Sequence, residues 1–109
     1  MGSEPRMTTS VLKVVSAMLT DVTAERYGLD LMHDTGLASG TLYPILVRLE
    51  RAGWVASHWE DIDPIAEGRP ARRYYTLTPD GAAGARREVA IVHQQLSRAT
   101  GVVGKVREA

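Results

Sequence analysis

Few side chains in this sequence have the types and spacing that catalysis or metal binding requires. The three histidines, His33, His58 and His93, fall on three different predicted elements, and none has a second ligand at a spacing such as i+4. Cysteine is absent, which excludes thiolate ligands and a cysteine nucleophile. The carboxylates of Glu60, Asp61 and Asp63 form a cluster at a predicted loop, and such a cluster is more often solvated than catalytic. We therefore expect no catalytic residue, no metal, no cofactor and no enzymatic activity.

Arginine is the chemically notable residue of the chain. The formal net charge is zero, yet 11 of the 13 basic residues are arginines, and the segment from Arg69 to Arg87 holds five basic residues against the single acid Asp80. Arginine suits planar, bidentate recognition of phosphates and base edges. A neutral protein with such a local cluster can bind a polyanion through that patch.

The size and composition indicate one globular domain. The chain has 109 residues, of which 44% are hydrophobic and 24% charged, and these values are ordinary for a folded domain. No apolar run approaches the roughly 18 residues of a membrane span. The first residues also lack the apolar stretch of a signal peptide. We expect a cytoplasmic protein without a membrane partner.

Two helices are predicted before residue 37. The first runs from about Thr9 to Leu19 and is apolar on most of its surface, so we place it in the core. The second begins after Thr23 and ends near Thr35, before Gly36, which favours a left-handed C-cap. We expect Gly28 to lie inside this second helix and to allow close approach of the first.

The third predicted helix has two faces. Its apolar residues recur at i, i+3, i+4 and i+7 and form a stripe of Leu42, Ile45, Leu46 and Leu49. Ser39 or Thr41 can cap it, and Gly53 ends it. With Thr41 as the cap, Pro44 falls in the first turn, where a missing N–H costs little. A helix that starts at Ser39 would lose one hydrogen bond at Pro44.

A long hairpin follows the third helix. One strand is predicted from Trp54 to Trp59 and a second from Arg72 to Leu77, with a proline- and glycine-rich loop from Ile62 to Ala71 between them. A period of two places Tyr75 and Leu77 on the same side of the second strand.

The last predicted helix opens with Thr78 as N-cap and Pro79 as its first residue. Small and apolar residues then recur at alternating spacings of three and four over more than three heptads, which is the pattern of a helix–helix seam. We expect fraying after about Thr100. The seam residues that we expect to form a dimer interface are Val89, Val92, Leu96 and Ala99.

This order of helix, helix, tight turn, helix and long hairpin is that of a winged helix-turn-helix. We expect a mainly α (α+β) fold: a flexible tail over residues 1–8, a winged helix-turn-helix domain with a two-stranded wing over residues 9–77, and a dimerisation helix over residues 78–109. The predicted solvent-exposed face of the third helix carries Thr41, Tyr43 and Arg48, which can reach base edges and phosphates. The small residues Ser39 and Gly40 would let backbone amides approach a phosphate.

The loop of the hairpin supports the same interpretation. Gly68, Arg69 and Pro70 form an extended tip, and an arginine on such a tip suits a narrow minor groove, where the potential is most negative. Arg72 and Arg73 stand at the base of this wing, where they can meet phosphates.

Several of these segments resemble the PadR family of bacterial transcriptional regulators. The resemblance covers roughly residues 9–90 and is strongest in the segment from Gly40 to Glu50, which reads Gly-Thr-Leu-Tyr-Pro and then Arg-Leu-Glu. It continues in the Gly68–Pro70 wing and in the segment from Arg72 to Pro79. The resemblance implies a homodimer with one helix after the wing, and a repressor that a small molecule releases from DNA.

Carried over by position, the resemblance implies DNA contacts from Ser39, Gly40, Thr41, Tyr43 and Arg48 and from Gly68 and Arg69 at the wing tip. A two-fold dimer implies a palindromic duplex operator. For an effector, we consider a cavity between the terminal helices that is lined by Met18, Val92 and Leu96. The effector itself is not identified.

One alternative from another class stays open. The chain can be a winged helix that serves only protein interaction or dimerisation and makes no DNA contact. The zero net charge and the acidic residues Asp61, Asp63 and Glu67 in the wing loop favour this alternative. The arginines of the third helix and the wing speak against it.

Overall fold

The computed structural model describes residues 4–99. The predicted order of helices and hairpin is confirmed, with two short elements in addition. In chain order the elements are α1 (Thr9–Leu19), β1 (Arg26–Tyr27), α2 (Gly28–Thr35), α3 (Ser39–Arg51), β2 (Val55–Trp59), α4 (Pro64–Glu67), β3 (Arg73–Leu77) and α5 (Pro79–Ala99).

Helix α1 lies in the centre of the core and has the predicted bounds. It begins where the hydroxyl of Thr8 accepts a hydrogen bond of 3.1 Å from the backbone N–H of Val11. Val14 and Val15 are fully buried, and 2% of Met18 is exposed. Their burial stabilises the fold by about 1.5–3 kcal/mol for each large side chain.

Helix α2 begins four residues later than the sequence predicted. The side chain of Asp21 accepts hydrogen bonds from the backbone N–H and the hydroxyl of Thr23, at 3.2 and 2.8 Å, and so holds this segment in a local turn. The helix starts only at Gly28, where the carboxylate of Asp30 accepts from the N–H of Tyr27 at 3.1 Å. The predicted left-handed C-cap is confirmed, since Gly36 has a φ of 74°.

The sheet has three antiparallel strands in the order β1-β3-β2, whereas the sequence predicted only the β2–β3 wing. The third strand is the dipeptide Arg26–Tyr27, which the sequence assigned to the second helix and which pairs with Tyr75 and Tyr74 of β3. The predicted facing of β3 is confirmed, because Tyr75 and Leu77 are both buried.

Helix α3 starts at Ser39, with Ala38 as N-cap, so neither of the two candidate caps, Ser39 and Thr41, occupies that position. Pro44 therefore lies inside the helix, where it cannot donate a hydrogen bond to the helix. This loss is tolerated because Pro44 is on the exposed side of the helix. The opposite side carries the predicted stripe, of which at most 1% is exposed at any residue: Leu42, Ile45, Leu46 and Leu49.

The loop between the wing strands contains a short helix that the sequence did not predict. The carboxylate of Asp63 accepts from the N–H of Ile65 at 3.0 Å, and Pro64 occupies the first turn of α4. The helix ends at Gly68, whose φ of 67° lies in the left-handed region that favours glycine. One of the loop's acidic residues therefore serves as a helix cap.

Helix α5 packs on the body through its first two turns. Gly81, Ala82, Gly84 and Ala85 are buried there, and both glycines lie directly against Trp54. The structure describes α5 up to Ala99, so the predicted fraying after Thr100 lies outside the described residues. At the other end of the chain, Met7 packs against the core, in a segment that the sequence assigned to a flexible tail.

The contact of α5 with Trp54 gives a test of this packing. A Cβ at Gly81 would overlap the backbone carbonyl of Trp54, whereas a Cβ at Gly40 would meet no atom within 4 Å. We expect Gly81→Ala to lower the free energy of unfolding by about 1–3 kcal/mol, because the backbone must shift. The matched change Gly40→Ala should raise it by up to about 1 kcal/mol. Urea unfolding followed by circular dichroism measures both, and equal stabilities would contradict the packing.

Candidate nucleic-acid interface

The outward face of α3 gathers the residues that the sequence assigned to DNA contact on this helix. Tyr43 is 40% exposed and the neighbouring Val47 45% exposed. This face results from the burial of the opposite stripe, since the helix can bury only one side. The other exposed residues of the face are Ser39, Gly40, Thr41, Arg48 and Arg51.

The N-terminus of α3 leaves backbone donors available. The amides of Thr41 and Leu42 donate to the carbonyl of Ala38 at 3.0 and 2.9 Å. Within the described residues, the amides of Ser39 and Gly40 have no such partner, as is normal for the first turn of a helix. Both residues are exposed, so these two N–H groups can donate to an anion such as a phosphate.

Tyr43 is positioned by Gly28 of α2. A Cβ at Gly28 would overlap the hydroxyl of Tyr43, so the tyrosine ring occupies the space that a side chain at position 28 would take. The sequence predicted that Gly28 allows approach of α1 from inside a helix. That prediction is wrong, because Gly28 is the first residue of α2 and its close neighbour is on α3.

A polar network joins α3 to the wing, which we define as β2, β3 and residues 60–72 between them. Arg73 donates to the hydroxyl of Ser57 from Nη2 at 2.7 Å and from Nε at 3.1 Å. Ser57 in turn donates to the carboxylate of Glu50 at 2.8 Å, and Arg73 Nη2 lies 3.7 Å from the same carboxylate. Arg73 also stacks on Trp59, with 5.1 Å between the guanidinium carbon and the ring centroid. These contacts fix the wing relative to the outward face of α3.

A second set of hydrogen-bonded residues, which we call the Glu60 cluster, consists of Glu60, Arg69, Arg72, Tyr27 and Tyr74. Glu60 accepts two hydrogen bonds from the guanidinium of Arg69, at 2.7 and 2.9 Å, and one from the backbone N–H of Arg72 at 3.3 Å. The hydroxyl of Tyr27 donates to the same carboxylate at 3.2 Å and also hydrogen-bonds the hydroxyl of Tyr74. The cluster therefore connects the wing loop to β1 and β3.

The electrostatics of the Glu60 cluster follow from these contacts. Hydrogen bonds from Arg69, supported by the N–H of Arg72, lower the pKa of Glu60 to about 2. The hydrogen bond with Tyr27, together with partial burial, raises the pKa of Tyr74 to about 12. Glu60 is thus a carboxylate and Tyr74 a neutral phenol over the whole range in which the protein is expected to work.

The three wing arginines differ in how much charge they present. Arg69, which the sequence placed at the minor groove, has a side chain that is 33% exposed and is neutralised by Glu60. Arg73 belongs to the network with Glu50. Arg72 forms no ion pair within residues 4–99, and its guanidinium carbon lies 4.9 Å from the centroid of the Tyr27 ring. The sequence did not reveal this difference, because Glu60 and Arg69 are nine residues apart and meet only in the folded hairpin.

The predicted dimer and effector residues lie in different surroundings. On α5, Val89 and Val92 are half-buried, Leu96 is 59% exposed and Ala99 is exposed. Met18, in contrast, is buried in the core with 2% exposed. Within residues 4–99, no three His, Asp or Glu side chains are grouped so that they can hold a metal ion. Over the same residues, no helix combines the length and the apolar character that crossing a bilayer requires.

The contacts of the Glu60 cluster give a test through the pKa of the Glu60 carboxyl, which we expect to be unusually low. In the wild-type protein the Glu60 carboxyl should titrate near pH 2, and Arg69→Ala should move its pKa towards the ordinary 4.5, because Arg69 is the main cause of the shift. Since the folded-state pKa is depressed, the stabilisation that the cluster gives is complete above about pH 4.5 and is lost as the pH falls towards 2. Carboxyl 13C NMR across this range measures the shift. Arg98→Ala is the control, and a wild-type Glu60 that titrates near 4.5 would contradict the cluster.

Known structures share this fold. The chain is similar to BpsR of Bordetella bronchiseptica, whose DNA binding is regulated by 6-hydroxynicotinic acid, with a TM-score of 0.68, 19% identity, and coverage of 94% of this chain and 78% of BpsR. It is similar to smu.1704 of Streptococcus mutans, with a TM-score of 0.57, 25% identity, and coverage of 91% and 90%. A Streptococcus transcriptional regulator gives a TM-score of 0.55, 22% identity, and coverage of 95% and 99%. No protein of curated function matches the chain.

The family assignment rests on the sequence. The model of the transcriptional regulator PadR-like family matches residues 17–87, well over half of the 109 residues. The matched region contains α2, α3, the wing and the first turns of α5, and so includes the whole interface described above. The chain belongs to the PadR-like family of transcriptional regulators, which are not enzymes.

Proposed function

We propose that this protein is a homodimeric, sequence-specific regulator that binds double-stranded DNA, with α3 in the major groove. The observation that carries the proposal is the outward polar face of α3, held at a fixed angle to the wing by the network of Arg73, Ser57 and Glu50. A major groove admits one α-helix, and a rigidly attached wing can then lie on the adjacent backbone or minor groove.

The residues of α3 divide into two roles in this proposal. Tyr43 projects from the exposed side of the helix and is proposed to contact base edges, whereas Arg48, which is also exposed, is proposed to contact the DNA backbone. Ser39 and Gly40 are proposed to bind a phosphate through their unpaired amides at the helix start, and Thr41 through its side chain. Such contacts fix the register of the helix but read no sequence.

The wing residues are proposed to contact the DNA backbone with unequal strength. Arg72 offers its full charge, because no carboxylate within the described residues pairs with it. Arg69 and Arg73 are partly neutralised by Glu60 and Glu50. We therefore propose that these two arginines contribute hydrogen bonds and positioning of the wing more than net electrostatic attraction to DNA. Gly68 shapes the tip through its positive φ.

The dimer is proposed to form through the exposed half of α5. The first part of the seam, Ala82 and Ala85, is used inside the protomer, whereas the apolar repeat continues through Val89, Val92 and Leu96 beyond the body. A second copy that packs along this continuation would bury the repeat as in a coiled coil. Two-fold symmetry then places two copies of α3 on a palindromic operator.

We also propose that the protein is a cytoplasmic repressor released by a small-molecule effector. BpsR shows that DNA binding on this fold can be regulated by a small aromatic acid, which supports an effector here by analogy of fold alone. Met18, Val92 and Leu96 remain the proposed effector residues. A thermal-shift screen of small aromatics tests this part, and a supporting hit must also release the protein from DNA.

One observation favours a second function, an interaction module without DNA contact. The wing-tip arginine is neutralised by Glu60, which lowers the attraction of the wing for a polyanion. Selection of bound fragments from random duplex DNA, followed by a salt titration, separates the two. DNA binding predicts that log affinity falls linearly with log salt concentration, by about 0.9 for each phosphate contacted. Absent or salt-insensitive binding would favour the interaction module.

Tyr43 gives a test of base recognition. We expect Tyr43→Ala to weaken binding to the selected sequence by about 1–3 kcal/mol and to change binding to random duplex much less, because base contacts carry the specificity. Fluorescence anisotropy with both duplexes measures this difference. Leu29→Ala, at a position on α2 that is 72% exposed, is the control. Equal losses on the two duplexes would show that Tyr43 only positions the helix.

Leu96 gives a test of the dimer. We expect Leu96→Asp to yield monomers and to weaken operator binding at the same time, since a charge in an apolar seam is not tolerated. The matched control Gln94→Asp adds the same charge on the opposite side of α5 and should remain dimeric. Sedimentation velocity gives the mass of each variant. A dimeric Leu96→Asp protein would place the interface elsewhere.

A further inference from the structure

The segment before α1 is attached to the body at both ends of its described part. The carboxylate of Glu4 forms an ion pair of 2.8 Å with Arg87 of α5. The N–H of Thr8 donates to the carbonyl of Arg6 at 3.2 Å, and Met7 packs against the core. These contacts hold Arg6 beside α3.

A cavity of about 280 Å³ lies between this segment, α1 and α3. Its apolar part comes from Val11, Ile45 and Leu49, and its charged part includes Arg6, Arg48 and Arg51. We call these three the flank arginines. At 100° per residue, Arg48 and Glu50 point to opposite sides of α3, and Glu50 is on the side of the wing. The cavity therefore lies on the flank of α3 that the wing does not cover.

The charge on this flank is not neutralised. Within residues 4–99, none of the flank arginines forms an ion pair, and the carboxylate at the cavity, Glu4, is paired with Arg87. On the wing side, in contrast, Arg69 and Arg73 lie next to carboxylates. Among the described residues, three unpaired arginines therefore lie on the side of α3 away from the wing, against one, Arg72, on the wing, and this difference favours a more positive potential on the side away from the wing.

We propose that the segment before α1 is a third DNA-contacting element, in which Arg6 acts with Arg48 and Arg51 to bind the sugar–phosphate backbone on the far side of the major groove. This inference rests on the proposed function, since it assumes that α3 enters that groove. A helix in the major groove has a phosphate backbone on each side. The wing covers one side, and the flank arginines supply the charge for the other, where planar guanidinium groups bind phosphates well.

The test compares Arg6→Ala with Arg86→Ala, which removes an exposed arginine of α5 outside the cavity. Affinity for a selected and a random duplex is measured by anisotropy from 0.05 to 0.3 M salt, values chosen on the order of those that resolve counterion release. For Arg6→Ala we expect the salt slope to fall by about 0.9 and the affinity to fall roughly five- to tenfold near 0.1 M salt, equally on both duplexes. Arg86→Ala should leave slope and affinity near wild type. Arg6→Lys keeps the charge and should keep most of the slope.

The outcomes separate this inference from the proposed function. If the wild-type protein binds no duplex, the proposed function itself fails. If the wild type binds with a steep salt slope and Arg6→Ala matches Arg86→Ala, the function stands and the inference is wrong. The cavity also suits a small anion with an apolar body. Binding of benzoate that depends on Arg6, with an unchanged DNA isotherm, would assign the cavity to a small molecule and overturn the inference.

Discussion

The burial of one side of α3 is the constraint on which the proposed interface depends. Its apolar stripe, at most 1% exposed, packs against the α1 core and leaves the helix no freedom to rotate about its axis. The polar residues therefore point outward as a set. Pro44 breaks a hydrogen bond inside this helix, but it lies on the exposed side, so the stripe is not disturbed. The orientation that a DNA groove would meet is thus determined by hydrophobic burial and not by the polar residues themselves.

The net charge on each side of α3 depends more on which arginines form ion pairs with glutamates than on how many arginines are present. Glu60 and Glu50 pair with two of the three wing arginines, Arg69 and Arg73, and at the same time hold the wing in place. On the opposite flank the arginines stay unpaired within residues 4–99. A chain with zero net charge can in this way concentrate unpaired positive charge on one side of α3. The ion pairs that hold the wing in place and the unpaired flank arginines that attract DNA therefore contribute separately to the proposed DNA binding.

The sequence predicts correctly those features that depend on residues close together in the chain. The bounds of α1 and the facing of β3 follow from cap residues and periodicity, and both were predicted. The start of α2 was missed because the Asp21 turn competes with the helix, and β1 was missed because two residues form a strand only when β3 is beside them. Contacts such as Glu60 with Arg69, or Tyr43 with Gly28, join residues that only the folded chain brings together. Sequence periodicity contains no signal for such pairs.

In the proposed complex, two copies of α3 in a dimer face successive turns of one duplex. The chain has no cysteine, so Val47→Cys, on the outward face of α3, allows one spin label in each protomer. Pulsed electron–electron double resonance on the protein bound to duplex DNA measures the distance between the two labels. We expect a distance of about 34 Å, one helical turn of DNA. Absence of a dipolar signal, or a well-defined distance that matches no whole number of turns, would contradict it.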